Sequence, residues 1–173
     1  MPFARPTVCT ARTLHRAILC ASLSAVALIG GACGGSESTA PAPIPIEEQV
    51  WAASLGVTLS QFTRLASGVY YRDVTVGTGT TVSGTPTVAV RYAGYLANGT
   101  KFDERTEAQG PICFPLAGLI AGWQSGMQGM KVGGTRRLLI PPDQGYGRGG
   151  NGPIPGNANL LFDITLTATG CPA

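Results

Sequence analysis

Apolar and polar residues alternate along several segments of the chain, and this period of two is typical of half-buried β-strands. The clearest segment is 160–167, in which the apolar side chains from Leu160 to Leu166 take every second position. Residues 87–96 alternate in the same way and place Tyr92 on their apolar face. Shorter candidate strands cover residues 69–76 and 135–140.

A β-hairpin is predicted where the strand 87–96 ends. Asn98-Gly99 follows this strand, and the dipeptide indicates a type I′ turn, which needs a positive φ at both central residues. The return strand then begins over residues 100–103.

A single short helix is predicted over residues 120–127. Ile120, Trp123 and Met127 fall on one face of it at helical spacing. Several strands with one short helix favour an α+β fold, in which an antiparallel sheet packs over the helix. We expect the folded domain to cover residues 51–173, with its core at 67–168.

The first 32 residues are typical of a signal peptide. Arg5, Arg12 and Arg16 form a positive segment, and residues 17–29 are an unbroken run of apolar and small side chains. A run of about 13 such residues is too short for a transmembrane helix, which needs ~20. We therefore expect residues 1–32 to direct export.

Two routes of processing remain open at the end of this leader. Residues 29–33 resemble a bacterial lipobox, in which Cys33 is lipidated, although Gly30 stands where Leu is usual. The small residues before Cys33 also fit ordinary cleavage, which would release a soluble periplasmic or secreted protein. Lipidation is favoured because residues 33–50 are rich in Gly, Ser and Pro and predict a flexible linker. A membrane-anchored lipoprotein of the exported cell envelope, facing the periplasm or the exterior, is thus expected.

The charge distribution excludes one class of partner. The formal net charge is +3, but the leader carries the whole excess, because basic and acidic residues balance from Cys33 onward. A neutral domain without a basic stripe offers no electrostatic footprint for nucleic acid.

The positions of the cysteines and the histidine limit the catalytic groups and metal sites that the folded region can contain. Cys113 and Cys171 lie in the folded region and could pair in an oxidising compartment, or remain as two free thiols. The only histidine, His15, lies in the leader, which excludes catalysis by Ser-His-Asp or Cys-His groups. Two cysteines alone cannot close a tetrahedral zinc site. We therefore expect no metal, no cofactor and no bond-making chemistry.

Six motifs follow one another along the folded region, and together they are far more specific than any one of them. They are VRYAG at 90–94, NGTKFD at 98–103, LIAGW at 119–123 with Gly126-Met127, MKVGG at 130–134, IPP at 140–142 with Tyr146-Gly147, and Ile154-Pro155 with NLLFD at 159–163. Through these motifs in register, the folded region closely resembles the FKBP family of peptidyl-prolyl cis–trans isomerases over residues 67–168.

The resemblance implies a curved antiparallel sheet wrapped around one short helix, with an apolar pocket between them. Trp123 would form the pocket floor, and aromatic side chains its walls. The backbone N–H of Ile120 and the hydroxyl of Tyr146 would bind ligand carbonyls, with Asp103 at the polar edge. The catalytic set implied is Tyr92, Phe102, Asp103, Trp123, Tyr146 and Phe162. The substrate-binding set is Phe114, Leu119, Ile120, Ile112 and Ile154.

This sequence departs from the family pattern at four places, one of which is the short connection between Phe114 and Leu119. Ile112 stands where Phe is common, so one wall is thinner. The basic residue that commonly supports the Asp103 carboxylate falls near Ala108, and Arg105 could substitute for it. The loop 147–156 contains an unusual Gly152-Pro153.

The resemblance implies a monomeric prolyl isomerase that assists the folding of proline-containing exported polypeptides and is inhibited by macrolides such as rapamycin. The alternative is a peptide-binding or chaperone module that uses the same pocket without turnover.

Overall fold

The structure is a computed structural model that describes residues 40–171. The predicted signal peptide and Cys33 lie outside the described residues. Seven strands form one antiparallel sheet: β1 (Thr63–Arg64), β2 (Tyr70–Thr75), β3 (Thr87–Leu96), β4 (Lys101–Arg105), β5 (Ile112–Pro115), β6 (Thr135–Ile140) and β7 (Leu160–Thr169). The strand order is β1-β2-β6-β7-β3-β4, and β5 pairs with the first half of β3 beside β4. The helix α1 spans Ala121–Gly126.

The curved sheet and the single short helix confirm the predicted α+β class. The alternation in β7 also holds, because Leu160, Phe162, Ile164 and Leu166 are buried against the helix side of the sheet. We call this side the inner face.

The helix lies directly on β6 because two of its residues are glycines. A Cβ on Gly126 would approach Leu138 Cδ1 to 2.7 Å, and one on Gly122 would overlap the Ile140 side chain. Such contacts are far closer than side chains tolerate, so only glycine permits this depth of packing. The depth of α1 in turn sets the position of Trp123.

The outer face of the sheet is covered by residues 41–62, which we call the lead-in. Ile46 and Leu55 from the lead-in are buried against Leu139 and Leu161, which point outward from β6 and β7. The lead-in contains two short 3-10 helices, Ala53–Leu55 and Leu59–Gln61. The packed part of the chain therefore begins before residue 51, and residues 41–50 are not part of a free linker.

The hairpin between β3 and β4 is present, but the predicted type I′ turn is wrong. Gly99 has φ +90°, whereas Asn98 is not among the residues with positive φ. The Asn98 side chain instead accepts a hydrogen bond from the Thr100 N–H at 2.9 Å. Such an Asx turn favours a longer connection with one left-handed glycine.

Two short strands, β1 and β5, were not predicted from the sequence. β5 has four residues between Pro111 and Leu116 and alternates too briefly to be distinguished from a loop. Tertiary pairing with β3 makes it a strand. Cys113 in β5 is joined to Cys171 by a disulfide, with the two Cα atoms 5.8 Å apart, which fixes the C-terminal end beside β5.

No helix among residues 40–171 is long and apolar enough to cross a membrane.

Candidate active site

One cavity of about 210 Å³ lies between the inner face of the sheet and α1. Elements distant in sequence meet there: β3, β4, β5 and β7, the entrance and first turn of α1, and the segment after β6. The lining residues are Tyr92, Phe102, Asp103, Phe114, Leu119, Ile120, Trp123, Tyr146 and Phe162.

Edge-to-face aromatic contacts hold the cavity open. The Trp123 ring lies at right angles to Tyr92 and Phe162, with centroids 5.4 and 5.3 Å away. Phe102 meets Phe162 in the same way at 5.5 Å. Each such pair contributes about 0.5–1.5 kcal/mol beyond its buried area. The rings brace one another, so the cavity is largely preformed.

Trp123 lies at the base of the cavity and is only 4% exposed. Ile120 is the N-cap of α1, and its backbone N–H donates no hydrogen bond to another residue in the described chain. Ile120 also lines the cavity, so this N–H is available at the edge of an otherwise apolar surface.

Two tyrosine hydroxyls and a carboxylate form the polar rim. Tyr92 donates a hydrogen bond to Asp103 Oδ2 at 2.7 Å. Burial raises the pKa of Tyr92 well above its ordinary value, and the hydrogen bond to Asp103 raises it further. Burial and the charge of Asp103 likewise raise the pKa of Tyr146. Both hydroxyls therefore remain protonated donors at neutral pH.

Nine of the eleven residues predicted for the site line this cavity, and two do not. Ile154 lines a neighbouring depression together with Phe102, Asp103 and Tyr146, on the far side of the rim. Ile112 pairs with Val90 and packs against the core.

The expected support of Asp103 by Arg105 is absent. The Arg105 guanidinium donates instead to the carbonyl oxygens of Gly110 and Gln109, each at 3.0 Å. It therefore closes the loop after β4. Among the described residues, Asp103 takes part in no salt bridge.

Gly94 is a site residue that sequence reasoning missed. A Cβ at this position would lie 2.7 Å from the Phe102 ring and 2.8 Å from the Phe162 ring. The glycine thus lets both rings pack close to β3. Its place directly after Tyr92-Ala93 was visible in the sequence, but nothing local indicated a close approach.

Chemically, the site can enclose an apolar group among aromatic rings while two donors, the Ile120 N–H and the Tyr146 hydroxyl, bind its polar neighbours. The Tyr92 hydroxyl already donates to Asp103. The lining of the site contains no thiol, imidazole or amine that could act as a nucleophile. No three His, Cys, Asp or Glu residues within 40–171 cluster closely enough to hold a metal ion.

Comparison with known proteins agrees with this fold. A sequence model described as FKBP-type peptidyl-prolyl cis-trans isomerase matches residues 78–167, just over half of the chain. FkpA of Aeromonas hydrophila, named as an FKBP-type peptidyl-prolyl cis-trans isomerase, is 42% identical over 107 residues, which are 62% of this chain and 40% of that relative.

Two crystal structures resemble the chain closely. A peptidyl-prolyl cis-trans isomerase from Pseudomonas syringae pv. tomato has a TM-score of 0.59 at 38% identity, covering 64% of this chain and 82% of the other. FkpA from Escherichia coli has a TM-score of 0.62 at 33% identity, covering 69% and 56%. The curved antiparallel sheet with a short helix is the fold that the chain shares with these structures. The chain belongs to the FKBP-type peptidyl-prolyl cis-trans isomerase family, and it spans less than half the length of the curated relatives it matches.

Proposed function

We propose that this protein accelerates cis–trans rotation of X-Pro bonds in polypeptides. The observation that carries the proposal is the cavity itself: aromatic rings enclose a space suited to a proline ring, and hydrogen-bond donors occur only at its edge.

The physical case rests on how amide resonance responds to its surroundings. Resonance holds the peptide bond planar with a barrier of ~18–20 kcal/mol, and it separates charge between oxygen and nitrogen. Water stabilises that charge, whereas the rings of Trp123, Phe102 and Phe162 cannot. A planar X-Pro bond in the cavity is therefore destabilised relative to the twisted transition state, which has less charge separation. Catalysis is then differential binding of the transition state.

The rim residues would orient the polypeptide around the proline. The Ile120 N–H and the Tyr146 hydroxyl would donate hydrogen bonds to carbonyl oxygens flanking the X-Pro bond. The Tyr92–Asp103 hydrogen bond would keep the wall ring in place. Orienting groups of this kind favour the turn in which the bond twists.

The substrates proposed are proline-containing exported polypeptides, and macrolides such as rapamycin are proposed as competing ligands of the cavity. We also propose that the protein is exported, acts in folding in the cell envelope as a monomer, and is anchored through lipid on Cys33. The leader sequence and the Gly/Ser-rich stretch after Cys33 support export and anchoring.

The proposal is tested by the cis-to-trans rate of a short X-Pro peptide with the purified chain, with and without rapamycin. We expect rapid isomerisation that the macrolide suppresses. A folded sample that gives no acceleration would reject turnover and favour a binding module without catalysis.

Two variants test whether the cavity is responsible. Trp123→Leu removes the floor, and Asp103→Leu removes the acceptor of the Tyr92 hydroxyl. Each folded variant should lose at least tenfold in kcat/KM. Variants as fast as the wild type would show that turnover occurs elsewhere.

A further inference from the structure

The loop that follows Tyr146 is fastened to the lead-in, which lies outside the region matched by the family. We call residues 147–158 the rim loop. Asn157 stands near its end and makes two hydrogen bonds of different kinds. Its backbone N–H donates to the Gly147 carbonyl at 2.8 Å, and its side-chain amide donates to the Pro41 carbonyl. One residue thus closes the rim loop and joins it to the lead-in.

Asn157 is unusual in its backbone conformation. It is the one residue other than glycine that has a positive φ in the described part of the chain, at +59°. Asparagine tolerates this left-handed conformation better than most residues. A glycine would adopt it more easily, so ease of folding alone does not explain the asparagine. The side-chain amide does, because it reaches the lead-in.

A second asparagine makes a parallel connection. Asn159 is 2% exposed, and its side-chain amide donates to the Ile44 carbonyl at 2.7 Å and to Gln49 Oε1 at 3.0 Å. A Cβ on Gly156 would be 2.9 Å from the side chain of Ala40, the residue directly before the lead-in. Residues 156–159 therefore contact residues 40–49 at several points.

The lead-in is itself held firmly, which makes it a useful anchor. Ile46 is 3% exposed against the outer face of the sheet. The Tyr70 hydroxyl donates to Glu47, and the Ala52 N–H donates to the Ala97 carbonyl at 2.8 Å. These contacts tie the lead-in to β2 and to the β3–β4 hairpin, independently of the rim loop.

We propose that Asn157 is a positioning residue for Tyr146, and that the lead-in braces the rim loop through it. Gly147 directly follows Tyr146, so the bond from Asn157 to Gly147 fixes the backbone beside the tyrosine at the cavity rim. Fixing this backbone holds the Tyr146 hydroxyl where a substrate carbonyl would meet it. The expected effect on kinetics rests on the proposed function. The contact between the lead-in and the rim loop does not, because it is a matter of geometry alone.

Asn157→Gly in the full chain is the matched test, because glycine keeps the left-handed backbone and removes only the side-chain amide. A hydrogen bond of this kind contributes about 0.5–1.5 kcal/mol, which corresponds to roughly 2- to 10-fold in an equilibrium. We expect KM for an X-Pro peptide to rise by that factor while kcat changes less than twofold. The control is Arg91→Met, which breaks the exposed ion pair with Glu107, involves neither the rim loop nor the lead-in, and should leave KM unchanged.

A double-mutant cycle with Tyr146→Phe shows whether Asn157 acts through the tyrosine. Asn157→Gly should add little to the KM of Tyr146→Phe. If it raises KM as much in that background as in the wild type, Asn157 does not position Tyr146. An unchanged KM in the folded single variant overturns the inference in the same way.

The effect of Asn157 on the rim loop can be measured without an activity assay. Failure of this inference can therefore be distinguished from failure of the proposed isomerase function. Arg148 lies exposed in the rim loop, and trypsin cleaves after arginine where the chain can open. Limited trypsin digestion of the folded protein should cut after Arg148 about 2- to 10-fold faster in Asn157→Gly, by the same hydrogen-bond estimate. Equal cleavage rates in the two proteins would refute the brace even if the wild type is an active isomerase.

Discussion

Arg136 is buried beneath the end of α1, and its removal should be among the most destabilising substitutions in the domain. Its guanidinium forms a two-point ion pair with Asp73, at 2.7 and 3.0 Å. It also donates to the carbonyl oxygens of Gly126 and Gln128, both at 2.9 Å. These carbonyls lie at the C-terminal end of the helix, where no backbone N–H is available to them. Arg136 therefore fastens the helix that carries the cavity floor.

The magnitude of the Arg136→Met effect follows from these contacts. Removing one partner of a buried ion pair costs about 3–5 kcal/mol. Asp73 is 31% exposed, so water partly compensates its charge, and the lower end of that range applies to the pair. The two helix carbonyls add about 1 kcal/mol each. We expect the free energy of unfolding to fall by about 5 kcal/mol, and Tm by roughly 10–20 °C.

Urea unfolding followed by tryptophan fluorescence measures this loss. The matched control is Arg91→Met, which breaks the exposed pair with Glu107, an acceptor that is 87% exposed. Pairs of that kind contribute only about 0–1 kcal/mol. If Arg136→Met lost less than about 1 kcal/mol, or no more than the control, the buried guanidinium would not hold the helix, and the reasoning from its contacts would be refuted.

Three further predictions concern the cavity, the disulfide and alkaline pH. Gly94→Ala should push the Phe102 ring into the cavity and lower kcat/KM at least tenfold in a protein that still folds; wild-type kinetics in the X-Pro assay would contradict the close approach. Cys171→Ser removes the disulfide to Cys113, which links residues 58 positions apart in the sequence. The free energy of unfolding should fall by about 4 kcal/mol on the chain-entropy estimate. An unchanged urea midpoint would mean that the disulfide adds no stability. The pKa of Tyr92 is raised in the folded state, so its contribution to stability is complete below the unfolded pKa of about 10 and is lost progressively above it. The urea midpoint of the wild type should therefore decrease as pH rises from about 9 to about 11, and that of Tyr92→Phe should decrease less. If the midpoints of the two proteins decreased equally with pH, the phenol would not be buried as described.

The lead-in shows why composition can mislead about packing. Residues 41–46 are rich in proline, which predicts a solvated and extended segment. The segment is extended, yet Ile46 is buried, because Leu139 and Leu161 leave an apolar surface on the outer face of the sheet. Whether such a segment packs depends on a surface made by residues about a hundred positions away.

The local pattern along the chain determined most of the secondary structure. Period-two alternation over 87–96 and 160–167 is a property of the segment itself, and the strands β3 and β7 follow it. The spacing of Ile120, Trp123 and Met127 likewise defines one face of a helix without reference to anything distant. The family resemblance then identified the nine residues that line the cavity.

Only the tertiary structure decided the features that depend on two distant segments meeting. Arg105 bonds to backbone carbonyls rather than to Asp103, β5 exists because β3 pairs with it, and Asn157 reaches the carbonyl of Pro41. Gly94 is required because rings from β4 and β7 converge on it. A local pattern indicates which face of a strand or helix is apolar. It does not indicate which segment packs against that face, how close the two come, or which hydrogen bonds join them. Those distances are fixed when the sheet, the helix and the loops pack together.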